Sequence, residues 1–194
     1  AIDLIQFLIR HFIKNHQNTS DLKVRASYGK FAGLVGILTN LLLSALKFMA
    51  GTFFHSIAVV ADAVNNLSDS ASSIVTLVGF KMAEKPADAE HPFGHERIEY
   101  ISGLIVSFVI LALGFQLGQE SILKIISPEP AEISFLTVIV LFVSILIKLW
   151  QCLFYRSMGH AISSEALLAN SVDSRNDVIS TSAILLGMGL TALT

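Results

Sequence analysis

IAVVADAVNNLSDSASSIVTLVGF, residues Ile57 to Phe80, is long enough to cross a bilayer as a helix, yet it carries Asp62, Asn65, Asn66, Ser68 and Asp69. A membrane-spanning helix needs about 20 predominantly apolar residues for roughly 30 Å of hydrocarbon. A carboxylate at that depth costs about 2.5–3.5 kcal/mol on insertion scales, so it normally faces protein or a water-filled cavity and has a partner. Asp62, Asn65 and Asp69 stand at i, i+3 and i+7, along one helix face.

Three other stretches are apolar enough to span: Phe31 to Phe54, Ile101 to Ile126 and Ile133 to Phe154. A fifth, from Ser164 to Thr194, has a polar first half and an apolar second half, and its polar residues fall at helical spacing. The expected fold is an all-α polytopic transmembrane bundle of five spans over residues 31–194, preceded by a cytoplasmic or interfacial segment over residues 1–30. Composition agrees, since 53% of the 194 residues are hydrophobic, 14% are charged and the mean hydropathy is +0.67. A soluble domain of this size cannot hide so much apolar surface in one core. The four prolines (Pro86, Pro92, Pro128, Pro130) all lie in two loops and break no span.

A net charge of −2 without a long basic run excludes nucleic acid as an expected partner. Cys152, alone in the chain, can form no internal disulfide. Ala1 to Lys14 lacks the pattern of a cleaved signal, and its Ile2, Leu4, Ile5, Phe7, Leu8, Ile9, Phe12 and Ile13 point to a helix in the membrane interface. Lys and Arg favour cytoplasmic loops. Arg10, Lys14, Lys23, Arg25 and Lys30 precede the first span, Lys81, Lys85 and Arg97 flank the second loop, and Arg156 lies in the fourth. The turns near Thr52 to Ser56 and Ser127 to Glu132 hold no Lys or Arg. The N-terminus is therefore expected to be cytoplasmic, and a chain that stops at Thr194 after five spans reads as one cut short.

The fifth span repeats the theme of the second with Asp173 and Asp177, one turn apart. If the two helices pack side by side, four side chains can surround one cation. The bland alternative is that these groups only hydrogen-bond between helices, a task that Asn and Ser perform without desolvating three carboxylates. Three clustered negative charges repel one another; a divalent cation neutralises most of that charge, and its departure leaves carboxylates ready for protons. Metal and proton binding are then coupled, as in an antiporter. Asn and Asp offer hard oxygens suited to Mn²⁺, Mg²⁺ or Ca²⁺, whereas zinc usually recruits His or Cys.

A second constellation occupies the loop, where Asp88, His91 and His95 could converge on a metal, with Glu90 and Glu96 as weaker candidates. The alternative, equally open from spacing, is a loop whose histidines cap the third span and touch lipid headgroups. Lys47, Lys124 and Lys148 are expected to snorkel from span ends. Gly114 and Gly118 are expected to permit close helix packing. Arg175 should point away from its neighbouring aspartates, in a role the sequence does not assign.

With Asn65-x-x-x-Asp69, Asp173-x-x-x-Asp177 and His91-Pro-Phe-Gly-His95 in place, the sequence resembles the cation diffusion facilitator family over almost its whole length. The resemblance implies a homodimeric six-helix exporter of divalent metals in exchange for protons, by alternating access, with a cytoplasmic C-terminal domain that is absent here. It makes Asn65, Asp69, Asp173 and Asp177 the transport site, with Asn65 preferred to Asn66 or Asp62. It also makes Asp88, His91 and His95 a possible second metal site. Zinc-type members usually carry His among the four positions, so Asn, Asp, Asp and Asp look like the bacterial manganese-exporter subgroup. Expected throughout are a bacterial plasma-membrane location, Mn²⁺ as substrate with Zn²⁺, Fe²⁺ or Co²⁺ as alternatives, and no prosthetic group. Asp62 is expected in a supporting position or on the exit path. Rival readings are a membrane metalloenzyme centred on the His91 to Glu96 loop and a passive cation channel.

Overall fold

The computed structural model describes residues 2–53, 57–89, 91–126 and 135–191. Six helices account for nearly all of them: α1 (Ile2–Phe12), α2 (Leu22–Phe53), α3 (Ile57–Ala83), α4 (Ile98–Ile126), α5 (Phe135–Ile162) and α6 (Glu165–Thr191). No strand occurs among the described residues. Helices α2, α3, α4, α6 and α5 pack in that order as a closed ring, with α3 and α6 also in contact and α1 against α5.

The bundle is apolar outside and polar within. Leu38, Phe108 and Phe142 are among its many exposed large hydrophobics, whereas Asn40, Lys47, Asn66, Asp69, Lys148, Gln151 and Asn170 are buried. That distribution inverts the soluble pattern and suits lipid as solvent. Composition alone qualifies three helices to cross a membrane: α2, the Ile98–Gln116 part of α4, and α5. The expectation that Ile57 to Phe80 also qualifies by apolarity is not met, because its Asp, Asn and Ser residues dilute the run. Packing keeps such a helix in the bundle. Its hydroxyls bond back along the helix, Ser70 to the Asn66 carbonyl, Ser73 to that of Asp69 and Thr76 to that of Ser72, which leaves fewer polar groups unsatisfied in oil.

Two helices outrun their apolar stretches at one end of the bundle. α2 starts at Leu22, capped by Asp21, whose Oδ1 accepts the Lys23 N–H at 2.8 Å. α5 continues to Ile162, where Ser163 turns into the left-handed region (φ 50°) and the Ser164 N–H reaches the Gly159 carbonyl at 2.9 Å. This is a Schellman stop, and it starts α6 almost at once. The extra turns are amphipathic: Val24, Tyr28, Phe154, Tyr155, Met158 and Ile162 bury one face together with Ile5 and Ile9 of α1 and Ile13 just beyond it. Leu4, Phe7 and Phe12 of α1 remain exposed.

Close helix approach comes from other glycines than the expected pair. A Cβ on Gly114 or Gly118 would meet nothing within 4 Å among the described atoms. A Cβ on Gly33 of α2 would lie 2.7 Å from Leu77 Cβ and 3.1 Å from the Ser73 carbonyl oxygen of α3. Gly33→Leu is expected to cost about 1–3 kcal/mol through overpacking, read as a lower melting temperature of the purified full-length protein; Gly114→Leu should leave it unchanged.

Candidate metal site

Packing of α3 against α6 brings the predicted aspartates together. Asp69, Asp173 and Asp177 each present a carboxylate oxygen within 4.8 Å of the others. Asn65 joins them, its Nδ2 donating to Asp177 Oδ1 at 3.0 Å. Asp69 is 2% exposed, and its Oδ1 is buried without a hydrogen-bond donor. Asn66 turns back instead, its Nδ2 donating to the Asp62 carbonyl at 2.9 Å. Ser68 Oγ likewise bonds within its own helix, to Val64. Arg175 is exposed, as its place between the two aspartates on α6 requires.

The fifth member comes from α5 and was not expected. Lys148 Nζ lies 2.6 Å from Asp69 Oδ2 and 2.6 Å from Asp177 Oδ2. Lys47 of α2 likewise sits 2.8 Å from Asp62 Oδ2. Both lysines are 1% exposed, so the expectation that they snorkel is overturned. A buried ammonium is costly unless a carboxylate compensates it, and here each faces one or two. The Lys124 side chain lies outside the described residues. Asp62 and Asp69 are two turns apart on nearly the same face of α3, about 10 Å along its axis. Two lysine–aspartate pairs are thus stacked in the bundle interior, and only the inner one shares the carboxylate trio.

Lys148 belongs to a buried stripe on α5 made by Thr137, Leu141, Ser144, Lys148, Gln151 and Tyr155. Its spacing of alternating fours and threes keeps all six on one side of the helix. Gln151 Nε2 donates to Thr39 Oγ1 of α2 at 3.0 Å, and the Tyr155 hydroxyl meets Ser73 Oγ of α3 at 3.2 Å. On α6, Asn170 Nδ2 donates to Thr76 Oγ1 at 2.8 Å.

At the loop, ligand atoms of Asp88, His91 and His95 also lie within 4.8 Å of one another. The His91 and His95 ring centroids are 4.5 Å apart. Asp88 Oδ1 accepts the His91 backbone N–H at 2.7 Å, which holds the Asp88 carboxyl below the usual range. His95 Nδ1 lies 3.2 Å from the Pro86 carbonyl, so Nε2 is free to face Asp88, 3.6 Å away. A backbone carbonyl on one ring nitrogen fixes the tautomer and orientation of an imidazole and leaves the other nitrogen able to ligate a metal. Gly94 turns the loop with φ 79°, a conformation that favours glycine. Glu90 lies outside the described residues. Glu96 instead lines a cavity of about 450 Å³ beside Arg25, Glu84 and Glu99. There Arg25 pairs with Glu99 at 2.9 Å and Lys30 pairs with Glu84, tying α2 to α4 and to the turn that follows α3.

Residues 33–194 match the family described as the cation efflux transmembrane domain. The manganese efflux system protein MneS of Bacillus subtilis is 34% identical over 163 residues, 82% of this chain and 55% of the relative. An uncharacterized transporter of Methanocaldococcus jannaschii, MJ0449, is 29% identical over 80% of this chain and 55% of its own length. The cation-efflux pump FieF of Klebsiella pneumoniae is 29% identical over 84% of this chain and 56% of its own. The chain thus spans about half the length of these curated relatives.

Proposed function

Since the chain belongs to the cation efflux transmembrane-domain family, we propose that it is the membrane part of a Mn²⁺/H⁺ antiporter that exports the metal by alternating access. The carrying observation is the buried convergence of Asp69, Asp173 and Asp177 from two helices, with Asn65 beside them. An all-oxygen donor set favours a hard cation, and similarity to a manganese efflux protein points the same way. In this reading Mn²⁺ enters from the cytoplasm and is held between α3 and α6. The site then opens outward, and protons returning to the aspartates reset it. The whole protein acts as a homodimer in a bacterial plasma membrane with its N-terminus in the cytoplasm. Asp88, His91 and His95 form a second metal site near the cytoplasmic surface. A transport family disfavours the metalloenzyme reading.

The test uses the full-length protein in lipid vesicles, with Mn²⁺, Zn²⁺ and Fe²⁺ flux measured across an imposed pH gradient. Saturable Mn²⁺ flux that runs against its own gradient when protons flow the other way supports the proposal. Flux that neither saturates nor responds to the proton gradient is a channel's behaviour and defeats it. Asp173→His is expected to shift preference from Mn²⁺ toward Zn²⁺, because imidazole suits zinc better than it suits manganese. An unchanged Mn²⁺-to-Zn²⁺ ratio would remove Asp173 from the ligand set.

A further inference from the structure

The Lys148 ammonium bridges the two helices that hold the proposed ligands. At 2.6 Å from both Asp69 Oδ2 and Asp177 Oδ2, it ties up one oxygen of each carboxylate. A divalent cation set among the same aspartates would meet a positive charge in direct contact with its ligands. Metal and ammonium repel, and they compete for the same oxygens.

The polar stripe on α5 offers the ammonium a second position. Ser144 and Gln151 flank Lys148 at i−4 and i+3, on the same face and one turn away in either direction. Ser144 Oγ and Gln151 Oε1 are both buried and engage no hydrogen-bond partner. Buried acceptors left in that condition are unusual in native proteins. An ammonium carries three donors on a flexible stem, the kind of group that both unpartnered oxygens accept from.

We propose that Lys148 is a tethered competitor for the transport site, bridging Asp69 and Asp177 when the site holds no metal and moving along α5 toward Ser144 or Gln151 when the metal enters. This rests on the assignment of the aspartates as metal ligands. The lysine lowers the affinity of the site for its cargo and refills the gap after release, so the vacated carboxylates are not left facing one another alone. It acts through the ligands as a positioning residue and touches no metal itself.

The direction of the effect separates this role from a structural one. If Lys148 merely holds α3 and α6 in place, removing it weakens metal binding. A competitor's removal strengthens it. Equilibrium binding of Mn²⁺ to the full-length protein is measured for the native sequence, Lys148→Met, Lys148→Arg and, as a site control, Asp177→Asn. Lys148→Met is expected to bind Mn²⁺ about tenfold more tightly or better, within the usual range of coupling between two sites. It should also release the ion more slowly in flux assays. Lys148→Arg, which keeps a charge able to bridge two carboxylates, is expected to restore the weaker binding. Equal or weaker binding by Lys148→Met overturns the proposal. If that variant does not fold, a structure of the native sequence with Mn²⁺ bound decides: Nζ still bridging Asp69 and Asp177 overturns it, and Nζ withdrawn toward Ser144 or Gln151 supports it. Mn²⁺ binding that survives Asp177→Asn undiminished overturns the ligand assignment, a failure distinct from that of the competitor.

Discussion

Asp69→Ala in the full-length protein is expected to lower Mn²⁺ flux by about a hundredfold or more. Loss of an outer-shell partner alone typically costs 10–100-fold in metal affinity or activity, and Asp69 is proposed as a direct ligand. It is the least exposed of the three carboxylates, supplies the α3 side of the trio, and shares Lys148 with Asp177. Removing it takes away one of three negative charges and leaves the lysine with a single partner. Asp177→Ala should act alike from the α6 side. Arg175→Ala, two positions away on α6 and exposed, should transport normally and so controls for general damage to that helix. Vesicle flux, with protein incorporation measured for each variant, decides the matter. Undiminished transport by Asp69→Ala would take that residue out of the site.

The aspartates were legible because nothing cheap explains them. A carboxylate in the middle of an apolar helix needs a partner, and i, i+4 spacing on two separate helices says that the partner is shared. Lys148 and Lys47, buried where snorkelling is expected, escape a reading of the sequence for the opposite reason. A lysine in an apolar run has an inexpensive account in snorkelling, and whether its stem reaches a headgroup depends on depth, which one helix cannot reveal. A signal did exist: Thr137, Ser144, Lys148, Gln151 and Tyr155 recur at sevens and their divisions along α5, a polar seam where lipid-facing residues would be apolar. The glycines show the same limit. Gly29, Gly33 and Gly36 are no more conspicuous in sequence than Gly114 and Gly118, and only the approach of α3 and α5 makes the first set matter. The ends of α2 and α5 escaped an apolarity count because they bury one face against α1 and leave the other exposed.

Lys47→Met is expected to destabilise the protein by about 3–5 kcal/mol, the usual consequence of stranding one member of a buried ion pair. Asp62 would lose the ammonium 2.8 Å away, and its side chain is only 13% exposed. Asp62→Leu should cost a similar amount by stranding Lys47, which is 1% exposed. The double variant, Lys47→Met with Asp62→Leu, replaces both charges by apolar groups, an exchange that is often neutral or stabilising. Its stability should therefore return close to that of the native sequence, and the gap between its cost and the sum of the single costs measures the coupling. Chemical or thermal unfolding of the three variants gives that gap, and additive costs would mean that the two residues do not act as a pair. The double variant also tests whether the pair matters for transport apart from stability. The pair stands about two turns along α3 from Asp69 and shares none of the trio's carboxylates, so Mn²⁺ affinity should be kept. If affinity is kept while flux falls, the Lys47–Asp62 pair serves a step of transport other than holding the ion, such as the path that the ion follows after leaving the site.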